Sequence, residues 1–208
     1  MVTENILKDK VMAIIWGGPG GLALAKLWQS KVVNVKVYER DYSKDARVQG
    51  AIIDLHYDSG LKVPEAAGLM DSFKANYMPG AEKYRMVGQN GKIWIDKHGK
   101  KTDNGFGDER FRPEMDRGAL RNLLLASLQP GTAVWYSQFK SMTELNNALL
   151  IEFKTGKTAY ADVWLVQMAT VQRSGHTAGI VAWRNEGSGI PGWGIDQKFL
   201  NMFDDQEG

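Results

Sequence analysis

The 208-residue chain has no cysteine, which excludes disulfides, thiolate catalysis and cysteine-ligated metals and is compatible with a reducing compartment. Histidine is scarce as well. His56, His98 and His176 stand in no H-E-x-x-H or related spacing, so no metal site is assigned. No apolar run approaches the roughly 20 residues that cross a bilayer, and Met1 to Lys10 is too polar for a secretory leader. The expectation is a cytoplasmic protein with no membrane partner. Excess charge of one sign is also missing: 26 basic and 24 acidic residues give +2, and the basic residues are scattered, so no nucleic-acid partner is expected. What is present is 43% hydrophobic residues, enough for one good-sized globular domain at this length.

The most informative stretch is Trp16-Gly17-Gly18-Pro19-Gly20-Gly21, between an apolar run, Val11 to Ile15, and a helical pattern from Leu22 to Trp28. In a G-x-G-x-x-G turn the first glycine makes the tight turn, the second lets backbone approach a diphosphate, and the third allows close helix–strand packing. Gly18 and Gly21 hold the second and third places, and Trp16 holds the first. A β-branched run, Val32 to Tyr38, then ends at Glu39, 18 residues beyond Gly21. An acid at about that distance is placed for ribose hydroxyls. The segment reads as a βαβ unit, although any parallel α/β fold can carry a glycine turn and a strand-end acid.

Further along, Ala51 to Leu55 reads as a short strand, and a helix is expected within Gly60 to Met70, starting near Pro64. Glu82 to Asp96 reads as a hairpin turning at Asn90-Gly91, and Lys97 to Arg112 as a loop. A helix is expected from Arg117 to Leu128, with Asp116 as N-cap and a Met115–Leu120 staple. Strands are expected at Ala133 to Tyr136 and Val163 to Val166, with a hairpin around Thr155-Gly156. From Gly175 the pattern is unassigned. The expected organisation is one α/β domain over 1–175 and a Gly-rich tail over 176–208.

Ala13 to Leu22, then Val37-Tyr38-Glu39-Arg40-Asp41, Ala46-Arg47, Gly50 and Asp54-Leu55-His56, and further on Arg112 to Leu124, together resemble the FAD-dependent aromatic hydroxylases. Among these, the chain is most similar to the tetracycline-inactivating flavin monooxygenases. The resemblance runs from about Lys8 to Val166. It implies a Rossmann-like FAD-binding domain with a central parallel sheet, flanking helices and β-hairpin insertions. It also implies FAD as cofactor, NADPH as electron donor, and hydroxylation of an aromatic or tetracycline-like small molecule, hence a link to antibiotic resistance. Carried over by position, Gly17, Gly18, Pro19, Gly20 and Gly21 would cradle the diphosphate, Glu39 would hold the adenosine ribose, and Arg40 would be a further cofactor-binding residue. Arg47 and Asp54 would lie beside the flavin, and Arg117 would bind the cofactor. Arginine's planar fork suits phosphate or an electron-rich ring, and a carboxylate accepts from ribose or flavin donors. No catalytic residue is assigned, and His56 reads as a positioning group.

Three features depart from that family. Trp16 replaces the turn glycine, at a cost on the order of 1–2 kcal/mol if the backbone there is left-handed, and its indole is large enough to occupy phosphate space. Val166 to Thr170 replaces a Gly-Ala-Asp-Gly-like turn, and no counterpart of the family's later substrate-domain motifs is present. Two other readings follow: a non-catalytic FAD- or nucleotide-binding module, and a cofactor-free α/β scaffold. An NAD(P)-dependent dehydrogenase is weakened by the lack of a Tyr-x-x-x-Lys arrangement. Surfaces that a longer relative would cover favour self-association.

Overall fold

The apolar run at the start of the chain forms β1 (Val11–Ile15), with four of its five residues buried. Such a continuous run is what a parallel strand covered on both faces requires. The structure is a computed structural model that describes residues 10–46, 50, 52–81, 83, 85–96, 105–145, 148–172 and 175–184, with side chains described as far as residue 162. It divides into two compact units, residues 1–47 with 127–208, and residues 48–126.

In the first unit, β1 is followed by α1 (Pro19–Ser30) and β2 (Asn34–Tyr38), which lies parallel to β1 with Ile15 opposite Tyr38. Then come β7 (Ala133–Val134), β8 (Phe139–Leu145), β9 (Ala148–Phe153), β10 (Thr158–Ala161), β11 (Val163–Gln172) and β12 (Gly175–Arg184); β3 to β6 belong to the second unit. A five-stranded sheet has the order β12-β11-β1-β2-β7. Its β11, β1, β2 and β7 are mutually parallel, and β12 is antiparallel at the edge. Asp162 sets the β1–β11 register: Val11 N–H donates to its carboxylate (2.7 Å), and its own N–H donates to Val11 C=O (2.9 Å).

Strand alternation divides the core. Ala13, Ile15 and Tyr38 pack with Ile151, Phe153 and Ala161 of the antiparallel sheet β10-β9-β8, while Met12, Ile14, Val35 and Val37 point to the face on which α1 lies. There α1 buries Leu22, Ala23, Leu24, Ala25 and Trp28. The helix starts three residues earlier than its apolar pattern, because Pro19 at N1 needs no amide partner.

The second unit contains β3 (Ile52–Asp54) paired antiparallel with β6 (Glu114–Asp116), the short helices α2 (Lys62–Ala66) and α3 (Met70–Lys74), a hairpin of β4 (Arg85–Val87) and β5 (Ile93–Asp96), and α4 (Arg117–Ser127). Asp116 caps α4 as expected, accepting from Ala119 N–H at 2.9 Å. Met86 pairs with Ile95 and Val87 with Ile93, which leaves Trp94 as a bulged extra residue. Met86, Val87, Ile93 and Trp94 are all exposed.

Several elements differ from the sequence reading. The helix expected within Gly60 to Met70 is present as α2, starting two residues before Pro64, and a further five-residue helix, α3, follows it. Strands β8 and β12 were not expected, and β11 continues through Gln172 rather than stopping at Val166. Val32, read as strand, instead turns the chain from α1 into β2 at φ +61°, its N–H donating to Gln29 C=O. Its side chain is 91% exposed, so it gains no packing for the strain. Val32→Gly is therefore expected to stabilise the protein by about 1 kcal/mol, the relieved left-handed strain being partly offset by glycine's unfolded-state entropy. Urea denaturation measures this as a raised midpoint with an unchanged slope.

Candidate functional site

Ile15, Tyr38 and Val134 are register neighbours across β1, β2 and β7, so the carboxyl ends of three parallel strands are level. Ligands of open parallel sheets gather outside such ends. The chain leaves β1 through Trp16, whose N–H still donates to Tyr38 C=O (2.9 Å) but whose φ is +91°. The left-handed backbone expected where the first glycine is missing is therefore present, and a tryptophan adopts it.

Gly17 comes next, and its N–H donates to Glu39 Oε2 at 2.8 Å. A Cβ on Gly17 would stand 3.2 Å from that oxygen and 3.3 Å from Glu39 Cβ. Only glycine fits there without displacing the acid. Glu39 Oε1 accepts from Asp41 N–H at 3.1 Å, and the Glu39 backbone is tied to the β7 exit by Glu39 N–H to Val134 C=O (2.9 Å) and Ser137 N–H to Glu39 C=O (2.8 Å). Glu39 is only 3% exposed. A carboxylate taken out of water requires donors of this kind.

Gly18 is the N-cap of α1; it makes no side-chain cap, and the first turn has no acid. No side chain of the helix itself caps the positive end of these 12 residues, and backbone amides at such an end suit an anion such as diphosphate. The residues Gly17 to Gly21 could hold the diphosphate of FAD, and the Glu39 oxygens keep lone pairs for hydroxyl donors. The structure adds that Glu39 also braces the loop, a role that its position in the sequence did not disclose.

Arg40 is exposed, one residue past Glu39. Arg47 lies outside the described residues. Asp54 and Arg117 belong to the second unit. Asp54 ends β3 opposite Glu114, and its carboxylate lies 3.2 Å from His56 Nε2. Arg117 is exposed at the first position of α4, directly after the β6 residue that pairs with Ile52. Among the described residues, no helix is long and apolar enough to cross a membrane.

Comparison with known proteins extends this geometry. No family model matches the chain. The monooxygenase asqM of Emericella nidulans is 29% identical over 143 residues, 66% of this chain and 30% of that protein. The monooxygenase penA of Penicillium thymicola is 27% identical over 142 residues, 66% of this chain and 31% of that protein. The chain thus spans about a third of the curated relatives it matches. Among solved structures, the tetracycline destructase Tet(55) superposes with a TM-score of 0.60 at 21% identity, covering 77% of this chain and 38% of that one. HpxO of Klebsiella pneumoniae, complexed with FAD and uric acid, gives 0.58 at 14% identity, covering 78% and 40%.

Replacing Glu39 by glutamine leaves one acceptor oxygen for two backbone donors. Glu39→Gln is expected to cost roughly 1–3 kcal/mol, the penalty for a buried donor left facing another donor, as a lowered denaturation midpoint. An unchanged midpoint would show that the carboxylate does not brace the loop. The motifs at Gly17 to Gly21, Glu39 to Asp41 and Arg112 to Leu124 thus point the same way as both comparisons: this chain is similar in sequence to monooxygenases, and its fold is that of one part of the tetracycline destructases and FAD-containing monooxygenases.

Proposed function

We propose that the chain is the FAD-binding part of a flavin-dependent monooxygenase that draws electrons from NADPH and hydroxylates an aromatic or tetracycline-like small molecule. The observation that carries this reading is the Gly17–Glu39 junction in front of an uncapped helix end. The monooxygenase relatives, and the FAD-bound HpxO structure with its uric acid, support it. When bound, the flavin supplies the redox and oxygen chemistry. The chain's own residues bind and orient it. The α1 N-terminus takes the diphosphate, Glu39 fixes the loop and accepts from the adenosine ribose, and Arg40, Arg47, Asp54 and Arg117 are the polar groups assigned to the rest of the cofactor. Residues 1–175 form the proposed cofactor-binding domain.

The test is reconstitution with excess FAD, removal of free flavin and an absorbance spectrum, followed by NADPH under nitrogen. A retained yellow absorbance that NADPH bleaches is expected. Colourless protein whose melting temperature ignores FAD would overturn cofactor binding, because a ligand at 100 times its Kd stabilises the folded state by about 2.7 kcal/mol.

A second reading is favoured by the tryptophan that holds the left-handed turn position: a nucleotide-binding module without turnover. It predicts retained FAD and no NADPH oxidation. Self-association is part of the same proposal. Exposed Met86, Val87, Ile93 and Trp94 on the β4–β5 hairpin form the kind of apolar surface that a second copy would cover. Light scattering is expected to show dimers or larger species, and a monodisperse monomer at high concentration would contradict it.

A further inference from the structure

Three non-glycine residues have a left-handed backbone among those described: Trp16, Val32 and Tyr136, at φ +91°, +61° and +55°. Val32 lies in the turn after α1, away from the strand ends. Trp16 and Tyr136 both lie at the carboxyl ends of the parallel strands, one on each side of β2. Trp16 N–H donates to Tyr38 C=O (2.9 Å), and Tyr136 N–H donates to Asp41 C=O (2.7 Å). The two aromatic residues therefore flank the segment that carries Glu39. Neither ring has been drawn into the core, Trp16 being 38% and Tyr136 61% exposed.

Strain of this kind at bulky residues is uncommon and collects at ligand sites. In both places glycine would adopt the same backbone without penalty, so burial does not explain either ring. Position does suggest a use. The strands that the two residues follow, β1 and β7, lie on either side of β2, and both residues bond to the β2 exit around Glu39, at Tyr38 and at Asp41.

We propose that Trp16 and Tyr136 form an aromatic clamp for the nucleobase of an adenine nucleotide whose ribose lies at Glu39 and whose diphosphate lies at the α1 N-terminus. The inference rests on the dinucleotide-site reading and deepens it. Trp16, in the place of the turn glycine, then adds a base contact, where an obstructing indole would only exclude phosphate. Stacking on each ring is sequence-tolerant and strong enough to be measured.

The test is calorimetric titration of ADP and of ribose 5-phosphate into wild type, Trp16→Gly, Tyr136→Gly, Trp16→Phe and Tyr136→Phe. Glycine relieves the left-handed strain at both positions, so both glycine variants are expected to fold and to melt at a higher temperature than wild type. Each should nonetheless bind ADP roughly 5- to 150-fold more weakly. The phenylalanine variants should keep most of the ADP affinity, and ribose 5-phosphate should bind all five proteins alike. ADP binding that is unchanged or tighter in Trp16→Gly and Tyr136→Gly would overturn the clamp while leaving the dinucleotide site in place. A wild-type protein that binds no ADP would overturn the site and the clamp together.

Discussion

The contact on which the rest of the site depends is the 2.8 Å hydrogen bond from Gly17 N–H to the buried Glu39 carboxylate. It joins the exit of β1 to the exit of β2 and fixes where the glycine loop enters α1. The geometry favours a glycine on one side, because a Cβ would stand 3.2 Å from the acid's oxygen, and an acceptor on the other. The covering of β1 on both faces, by α1 and by the antiparallel sheet packed against Ala13 and Ile15, holds the two strand ends level. The loop can then present backbone amides in front of the helix dipole without a side-chain cap of its own.

Much of this first unit was legible in the letters. The apolar run at Val11 to Ile15, the glycine turn and the Val32 to Tyr38 run together read as a βαβ unit, right except at Val32, and Asp116 announces the start of α4. Trp16 was legible as a condition, a left-handed backbone at the first place of the turn, and the structure meets it at φ +91°. Other features were hidden for physical reasons. In β8, Phe139 to Leu145 interleaves Lys140, Ser141, Thr143 and Glu144 among its apolar residues, so no clean alternation stands out. Strand β12 carries Gly175, His176, Thr177 and Gly179, a composition that reads as loop and pairs because β11 offers it a ten-residue edge. Val32 looked like strand because it is β-branched, although its backbone turns. The bracing by Glu39 and the strain at Tyr136 arise from backbone bonds between segments distant in sequence, which local pattern does not encode.

The matched stretch spans 30% of asqM and 38% of Tet(55). In the second unit, the hairpin exposes Met86, Val87, Ile93 and Trp94. In the first unit, the strand ends, the helix end and the buried acid converge within one short stretch of backbone.

Hydrogen exchange with and without FAD tests the central claim most directly. The account predicts that FAD slows exchange at the amides of residues 17–22, 39–41 and 134–137, with the strands of the β8–β10 sheet unaffected. Exchange at residues 17–22 that is indifferent to saturating FAD would contradict it.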